Sequence, residues 1–454
     1  MNLASRLRLV ILSAISNAGK IDRVNNMKSV RHNKDSDLKV ISLFTGCGGM
    51  DLGFEGDFEV LSKSINPNVH PDWIRRGTDK QERVKLPATR FKTIFANDII
   101  PAARAAWVPY FRNRGNNESQ FHLTSIVDLV KKHREGKEIF PAADVVTGGF
   151  PCQDFSVAGK RKGFDSHKGH HGKVLTHLDS PTEENRGKLY IWMKHVIEIA
   201  QPKVFIAENV KGLVSLSDTK GIIENDFREI GCGYLVVEAR VLFAPMYGVP
   251  QSRERVIFIG FRKDALTQEA IKNLSSPDIK KEFDPYPEQT HGSGEPSFFA
   301  ENSLLPYVTV GDYITDLPEP HESKDLSQQS YSRARWYGRH CQGQTEVDLG
   351  SVGPTIRSEH HGNIEFRRLS IMHGGKNNPK INKDFCERRL TVRECARIQT
   401  FPDDFEFVRK PLGEGPEYKL SASEGYKLVG NAVPPLLAFH VAWRLQKLWP
   451  IIMK

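Results

Sequence analysis

Five short runs of β-branched and aromatic residues punctuate the chain from Lys39 onward, and they leave few folds open. They are Val40–Phe44, Thr93–Ala96, Asp144–Thr147, Val204–Ala207 and Val256–Ile259. Each is apolar at consecutive positions, so neither face of such a strand can meet water. Strands covered on both faces belong to a parallel sheet flanked by helices, an α/β fold. The stretch Leu189-Tyr190-Ile191-Trp192-Met193, continuing to Val196, Ile197 and Ile199, reads as a crossover helix ahead of the strand at Val204, with Pro202 marking its end.

After Phe261 the rhythm stops. Residues 262–388 are rich in Pro, Gly, Ser, His and Asn, and helical periodicity returns only at Leu390–Ala396 and Leu436–Leu448. The simplest organisation is one doubly wound, mostly parallel α/β domain interrupted by a smaller, loop-rich one. Residues 1–36 then form a basic extension, 37–262 the first part of the α/β domain, 263–388 the insert, and 389–454 a segment that completes the α/β domain.

At 454 residues the chain is too long for one ordinary domain. Its 39% hydrophobic and 26% charged content is that of a protein able to bury a full core, which excludes disorder throughout and a disulfide mini-scaffold. The formal net charge of +9 favours a polyanionic partner such as nucleic acid. Residues 331–389 alone carry eleven Lys/Arg against six Asp/Glu, a net of +5. The six cysteines are Cys47, Cys152, Cys232, Cys341, Cys386 and Cys395; none is paired as C-x-x-C, so no zinc ribbon or redox dithiol is indicated. Their scatter suits a reducing cytoplasm. No apolar run is long enough to span a bilayer. Arg6 and Arg8 ahead of Leu9-Val10-Ile11-Leu12 read as a basic amphipathic N-terminal helix, since the apolar stretch is too brief for an export signal.

Three segments carry chemistry. The first strand runs into Phe44-Thr45-Gly46-Cys47-Gly48-Gly49, a glycine-rich turn that lets backbone approach a ligand, and the second ends in Asn97-Asp98, where a carboxylate can accept from two ribose hydroxyls. The third strand opens into Gly148-Gly149-Phe150-Pro151-Cys152-Gln153. A lone cysteine is usually a small buried hydrophobe, but this one sits in a Gly/Pro turn at a strand end, where a thiolate can attack an electrophilic carbon. The fourth ends in Glu208-Asn209-Val210, an acid that partial burial equips to donate a proton. Arg253 and Arg255, leading into the fifth, offer a fixed fork of donors for a planar substrate oxygen or for Glu208.

In chain order FTGCGGMDLGF, GGFPCQDFSVAGKRKGF, NRGKLY, ENVKGL, YGVPQSRERVIFIG, RRLTVRECARIQTFPDDF and YKLVGNAVPP resemble the DNA (cytosine-5) methyltransferases of bacterial type II restriction–modification systems. The resemblance spans Lys39 to the C-terminal helix. It implies a Rossmann-like methyltransferase fold with S-adenosylmethionine as cofactor, an inserted target-recognition domain, and duplex DNA as substrate. Cys152 is then the nucleophile at cytosine carbon 6. Glu208 acts at ring nitrogen 3, and Arg255, with Arg253 nearby, at the carbonyl oxygen. The cofactor is assigned to Phe44, Gly46, Gly48, Gly49, Asp98, Ile99, Ser125, Ile126, Pro151, Leu189 and Asn431. Ser125 stands where the family often has an acid. No metal is expected, although the catalytic loop gains Asp165–His171. Arg335, Arg339, Arg357, Arg367 and Arg368, with Gln342, Gln344 and Asn363, are the residue types that read G and A edges in the major groove.

The same resemblance implies protection of host DNA from an endonuclease sharing its target; a monomer is expected, since a target base is attacked one strand at a time and no dimer motif is visible, and the cysteine usage places it in the cytoplasm. Two other readings remain open at this stage. One is an RNA cytosine-5 methyltransferase; the other is a catalytically silent DNA-binding relative, whose mark would be loss of Cys152, Glu208 or the glycine turn.

Overall fold

The strands form where the apolar runs predict them, because each presents side chains to helices on both faces. In the computed structural model, residues 36–74, 82–151, 189–214, 218–231, 233–293, 304–335, 337, 343–358, 364–376, 386–411 and 418–454 are described. Seven strands make one sheet: β1 (Leu38–Leu43), β2 (Phe91–Asp98), β3 (Phe121–Leu123), β4 (Val145–Gly149), β5 (Val204–Val210), β6 (Tyr234–Phe243) and β7 (Glu254–Arg262). Their order across the sheet is β3-β2-β1-β4-β5-β7-β6. β2 pairs with β3, β1 with β4, and β4 with β5, all in parallel. The fold is therefore α/β with a doubly wound, mostly parallel sheet.

The strand at Val256 departs from the parallel pattern that its apolar run suggested. β7 lies between β5 and β6 and is antiparallel to both. The reason is the connection: only residues 244–253 join β6 to β7, too few for a crossover helix, so the chain must reverse. The sequence reading had no strand at β3 or β6.

Helices α1 (Gly49–Glu55), α2 (Pro101–Arg112), α3 (Ile126–Arg134), α4 (Leu189–Ala200) and α5 (Thr219–Arg228) follow or precede the strands they cover. One core cluster runs from Val146, Phe205 and Phe258 in the sheet to Met193, Val196 and Ile197 on α4 and to Ile223 and Phe227 on α5, all fully buried. Burial of each such side chain contributes about 1.5–3 kcal/mol.

Three C-terminal helices follow, α6 (Val392–Ile398), α7 (Ala422–Asn431) and α8 (Pro435–Ile452); α7 packs on α2 and on α6, and α8 on α1. α6 and α7 each open on a capping box, Thr391 with Glu394 and Ser421 with Glu424. Pro434 and Pro435 break the chain after α7 and start α8, since a proline ring cannot sit in the next helical turn but suits the first. α8 lies on α1 so closely that a Cβ on Gly53 would come 2.4 Å from Ala438 Cβ. Between β7 and α6 the described residues hold only short elements, among them Gln268–Leu274, Val310–Ile314 and the antiparallel pair Phe366–Arg368 with Arg388–Arg389.

Candidate active site

The cleft opens at the carboxyl ends of the strands, where the order reverses between β1 and β4. Backbone geometry sets its floor. After β1 the chain turns through left-handed conformations at Phe44 (φ 53°), Gly46 (φ 56°) and Gly48 (φ 88°). That conformation costs about 1 kcal/mol at a non-glycine residue such as Phe44, so the surroundings must hold it. Asp51, 1% exposed in the first turn of α1, does so. Its carboxylate accepts from the hydroxyls of Ser42 and Thr45 and, at 2.7 Å, from Trp107 Nε1.

β2 docks its end onto this turn. Thr45 N donates to Asn97 O at 2.9 Å, and Gly46 N to Asp98 Oδ2 at 2.9 Å. The other oxygen, Asp98 Oδ1, accepts from Ile100 N at 2.9 Å. Beside it Ile99 and Ile100, each 40% exposed, present an apolar wall to the cleft. A Cβ on Gly46 would meet nothing within 4 Å, whereas one on Gly49 would lie 2.4 Å from Val433 O.

Phe44, Gly46, Gly49, Asp98, Ile99, Ser125, Ile126, Pro151, Leu189 and Asn431 all line this cleft, and so do Glu208 and Arg255. Gly48 does not. A Cβ there would come 2.5 Å from the Phe111 ring and 2.6 Å from Trp107, so packing against α2 is what demands glycine at that position. Cys47, in the same turn, is buried, and burial pushes its thiol far above the usual range, which keeps it un-ionised. Sequence reasoning missed Asn97, Asn209, Leu428 and Val433 as lining residues. Two of these lie next to assigned positions, Asn97 before Asp98 and Asn209 after Glu208, and were the ones a closer reading could have found.

Glu208 and Arg255 meet because β5 and β7 are antiparallel neighbours, with Val210 opposite Arg255. Arg255 Nε lies 2.6 Å from Glu208 Oε1, both side chains 10% exposed. Burial raises the Glu208 pKa above the ordinary carboxylate value, against the pull of Arg255 and, more weakly, Arg253. Gly149 stands opposite Glu208 across the β4–β5 pair, and a Cβ on it would sit 2.8 Å from Glu208 Oε2. Asn209 Nδ2 donates to Phe150 O at 3.1 Å and so fixes the backbone that leads to Pro151. Cys152 and the loop after it, with its histidines, lie outside the described residues.

Arg253 is placed elsewhere. It is fully buried, absent from the cleft lining, and donates to Ile356 O at 3.1 Å and Gly430 O at 2.9 Å. Among the arginines suggested for base reading, Arg368 forms a two-pronged pair with Glu319, 2.8 Å at each prong, and Arg367 Nε lies 3.5 Å from Glu394. Arg335 is exposed, Arg357 partly so, and Gln344 is 9% exposed; Arg339, Gln342 and Asn363 lie outside the described residues.

Residues 38–447 match the sequence family described as C-5 cytosine-specific DNA methylase. The chain belongs to that family. It is 33% identical over 429 residues to the type II methyltransferase M.BspRI of Lysinibacillus sphaericus, covering 90% of this chain and 81% of that protein. It is 32% identical over 419 residues to the type II methyltransferase M.BsuRI of Bacillus subtilis, covering 89% and 78%. A third relative, the type II methyltransferase M.NgoFVII of Neisseria gonorrhoeae, is 30% identical over 409 residues, covering 87% and 83%.

The methylase is thus a DNA (cytosine-5) methyltransferase whose methyl donor is S-adenosylmethionine. The cleft fits that group: a carboxylate at the end of β2, an apolar wall beside it, and a glycine at Gly46 with open space where a side chain would stand. Among the described residues no helix is long and apolar enough to cross a membrane.

Proposed function

We propose that this methylase acts on a cytosine within a specific short sequence of duplex DNA, through a transient covalent bond between Cys152 Sγ and carbon 6. The observation that supports the reading is the 2.6 Å Glu208–Arg255 pair standing in the same cleft as Asp98 and the glycine turn. Carbon 5 of cytosine is a poor nucleophile and lies inside the base stack, so the base must be flipped out and activated.

The Cys152 thiolate forms a bond to carbon 6, and Glu208, whose pKa burial raises against the pull of Arg255, gives a proton to ring nitrogen 3 as electron density moves to carbon 5. Arg255 holds the base carbonyl and keeps Glu208 in register. When bound, S-adenosylmethionine supplies an electrophilic methyl group, and Phe44, Gly46, Gly49, Asp98, Ile99, Ser125, Ile126, Pro151, Leu189 and Asn431 are the residues that would hold it. A base then takes the carbon 5 proton, the electron pair left behind forms the carbon 5–carbon 6 double bond as Sγ leaves, and nitrogen 3 returns its proton to Glu208, which restores the ring and frees the Cys152 thiolate. Residues 263–388 would read the target, the protein would work as a cytoplasmic monomer, and its methylation would protect host DNA from an endonuclease with the same target.

The test is methyl transfer from labelled S-adenosylmethionine to unmethylated genomic DNA, with bisulfite sequencing of the product. One short sequence context is expected, and Cys152→Ala should abolish transfer. Equal transfer by Cys152→Ala would remove the covalent step. Transfer to RNA in place of DNA would remove the substrate assignment.

A further inference from the structure

Three fully buried polar side chains outside the cleft bind together pieces of chain that are far apart in sequence. Gln251, Arg253 and Gln399 are each 0% exposed. Gln251 Oε1 accepts from Ile356 N at 2.9 Å, and its Nε2 donates to Gln399 Oε1 at 2.8 Å. Gln399 Nε2 donates in turn to Val429 O at 2.7 Å and Ala432 O at 3.1 Å. Arg253 bridges the same gap, from Ile356 O to Gly430 O.

The backbone joins in. Ser252 N donates to Gly353 O at 2.7 Å, Gly353 N donates to Pro250 O at 3.0 Å, and the Thr355 hydroxyl donates to Ser252 O. The contact is close enough that a Cβ on Gly430 would come 2.3 Å from the Arg357 carbonyl carbon.

The direction of these bonds is forced. Gln399 must turn its amide nitrogen to the two carbonyls of Val429 and Ala432, which leaves its oxygen for Gln251. Gln251 must then present nitrogen to Gln399 and oxygen to Ile356 N. Neither amide can flip without setting like poles together in a dry interior, where an unmade hydrogen bond is costly. One end of this relay is the segment Gly353–Ser358, within the region proposed to read DNA. The other end is the last turn of α7 and the residues just after it, Asn431, Ala432 and Val433, which line the cofactor cleft. Between them, two residues past Arg253, stands Arg255 on Glu208.

We propose that Gln251, Arg253 and Gln399 are positioning residues that couple duplex binding at Gly353–Ser358 to cofactor binding at Asn431–Val433. Duplex held against Thr355 and Arg357 restrains that segment, and the relay passes the restraint to the residues that border the cofactor. By linkage each ligand raises the affinity of the other by one common factor. The coupling rests on the methyl-transfer reading above.

Binding of S-adenosylhomocysteine to the full chain, with and without unmethylated genomic DNA fragments, reads the coupling without turnover. In the wild type the homocysteine compound should bind at least about fivefold more tightly when DNA is present. In Gln251→Met that ratio should fall to within about twofold of one, while affinity without DNA is kept, because Gln251 does not itself touch Asn431–Val433. Thr355→Val, which leaves the buried amides intact, should also lower the ratio, and it serves if Gln251→Met does not fold. A loss of folding stability alone would not move this ratio.

A wild-type ratio of one, or an unchanged ratio in the variants that fold, overturns the coupling. If that happens while 5-methylcytosine is still formed, the coupling alone is lost. If no methyl reaches DNA, the reading beneath it is lost as well.

Discussion

At the scale of single residues the site depends on one carboxyl and the glycine that faces it. Burial holds Glu208 protonated to higher pH than an ordinary glutamate, and the role proposed for it as proton donor uses that form. The protonated fraction, and the rate that depends on it, is full at low pH and lost as pH rises through the raised pKa. Glu208→Gln should lower kcat by about 10²–10³ and remove this alkaline limb, while binding of S-adenosylhomocysteine is retained. A pH–rate profile of both proteins checks it, and an unaltered limb in the variant would assign the limb to another group. Gly149→Ala tests the opposing wall. The added methyl would sit 2.8 Å from Glu208 Oε2 and displace the carboxyl from Arg255. The expected result is at least a tenfold fall in kcat with little change in melting temperature. Equal losses in both quantities would show a general packing defect.

At the scale of elements a network of ion pairs ties residues between β7 and α6 to the start of α6, beside buried apolar side chains such as Val310, Tyr313, Ile314 and Phe366. Glu319 takes both prongs of Arg368 and, at 3.1 Å, Arg388 Nε; Arg388 also pairs with Glu394 at 2.8 Å and 2.9 Å. Although burial opposes it, hydrogen bonding and charge from the two guanidiniums bring the Glu319 pKa down to about 2. A depressed carboxylate stabilises the fold above its unfolded value and loses that contribution as pH falls toward about 2. Glu319→Gln removes the carboxylate that both prongs of Arg368 engage and leaves Arg388 paired with Glu394 alone. It should cost about 3 kcal/mol, read from the denaturant midpoint at neutral pH. A cost under about 0.5 kcal/mol would mean that the arginines find other partners. This network also shows why residue type alone does not decide what Arg367 and Arg368 do. A guanidinium suited to guanine is equally suited to a carboxylate, and only proximity chooses between them.

At the scale of the whole molecule the C-terminal helix closes the structure through a buried aromatic cluster. His70 stacks on Trp73 with ring centroids 3.9 Å apart, His440 on α8 meets both edge-on, and His291 bonds Lys63 O at 2.9 Å through Nε2. Burial lowers the His70 pKa to about 4 against the pull of Asp72, with Lys447 adding to the lowering. Burial, then the neighbouring His70 and His291, lowers that of His440 well below the usual range. A histidine kept neutral in the fold contributes stability above its unfolded value of 6.5, and loses it as pH falls from there toward about 4. The melting temperature should therefore drop steeply between pH 6.5 and pH 5, and less steeply in His440→Phe. A flat profile in the wild type would show that this cluster opens without cost.

Much of this protein is legible in one dimension. The apolar runs at Val40, Thr93, Val145, Val204 and Val256 all become strands, because a segment apolar on both sides has no other place than the middle of a covered sheet. Glu208, Asp98 and the glycine turn were visible for a related reason: a strand end in such a sheet opens on the ligand cleft whatever the rest of the chain does. The helix α7 was less legible, since its apolar positions are few and its start depends on the Ser421–Glu424 box. What stayed hidden depends on partners remote in sequence. The antiparallel course of β7 follows from the length of its connection to β6. Gly48 answers to Trp107 and Phe111 on α2, and Arg253 answers to carbonyls at positions 356 and 430. Local chemistry determined which groups could serve a methyl-transfer site; long-range contacts, which no local pattern encodes, decided which of them reach it.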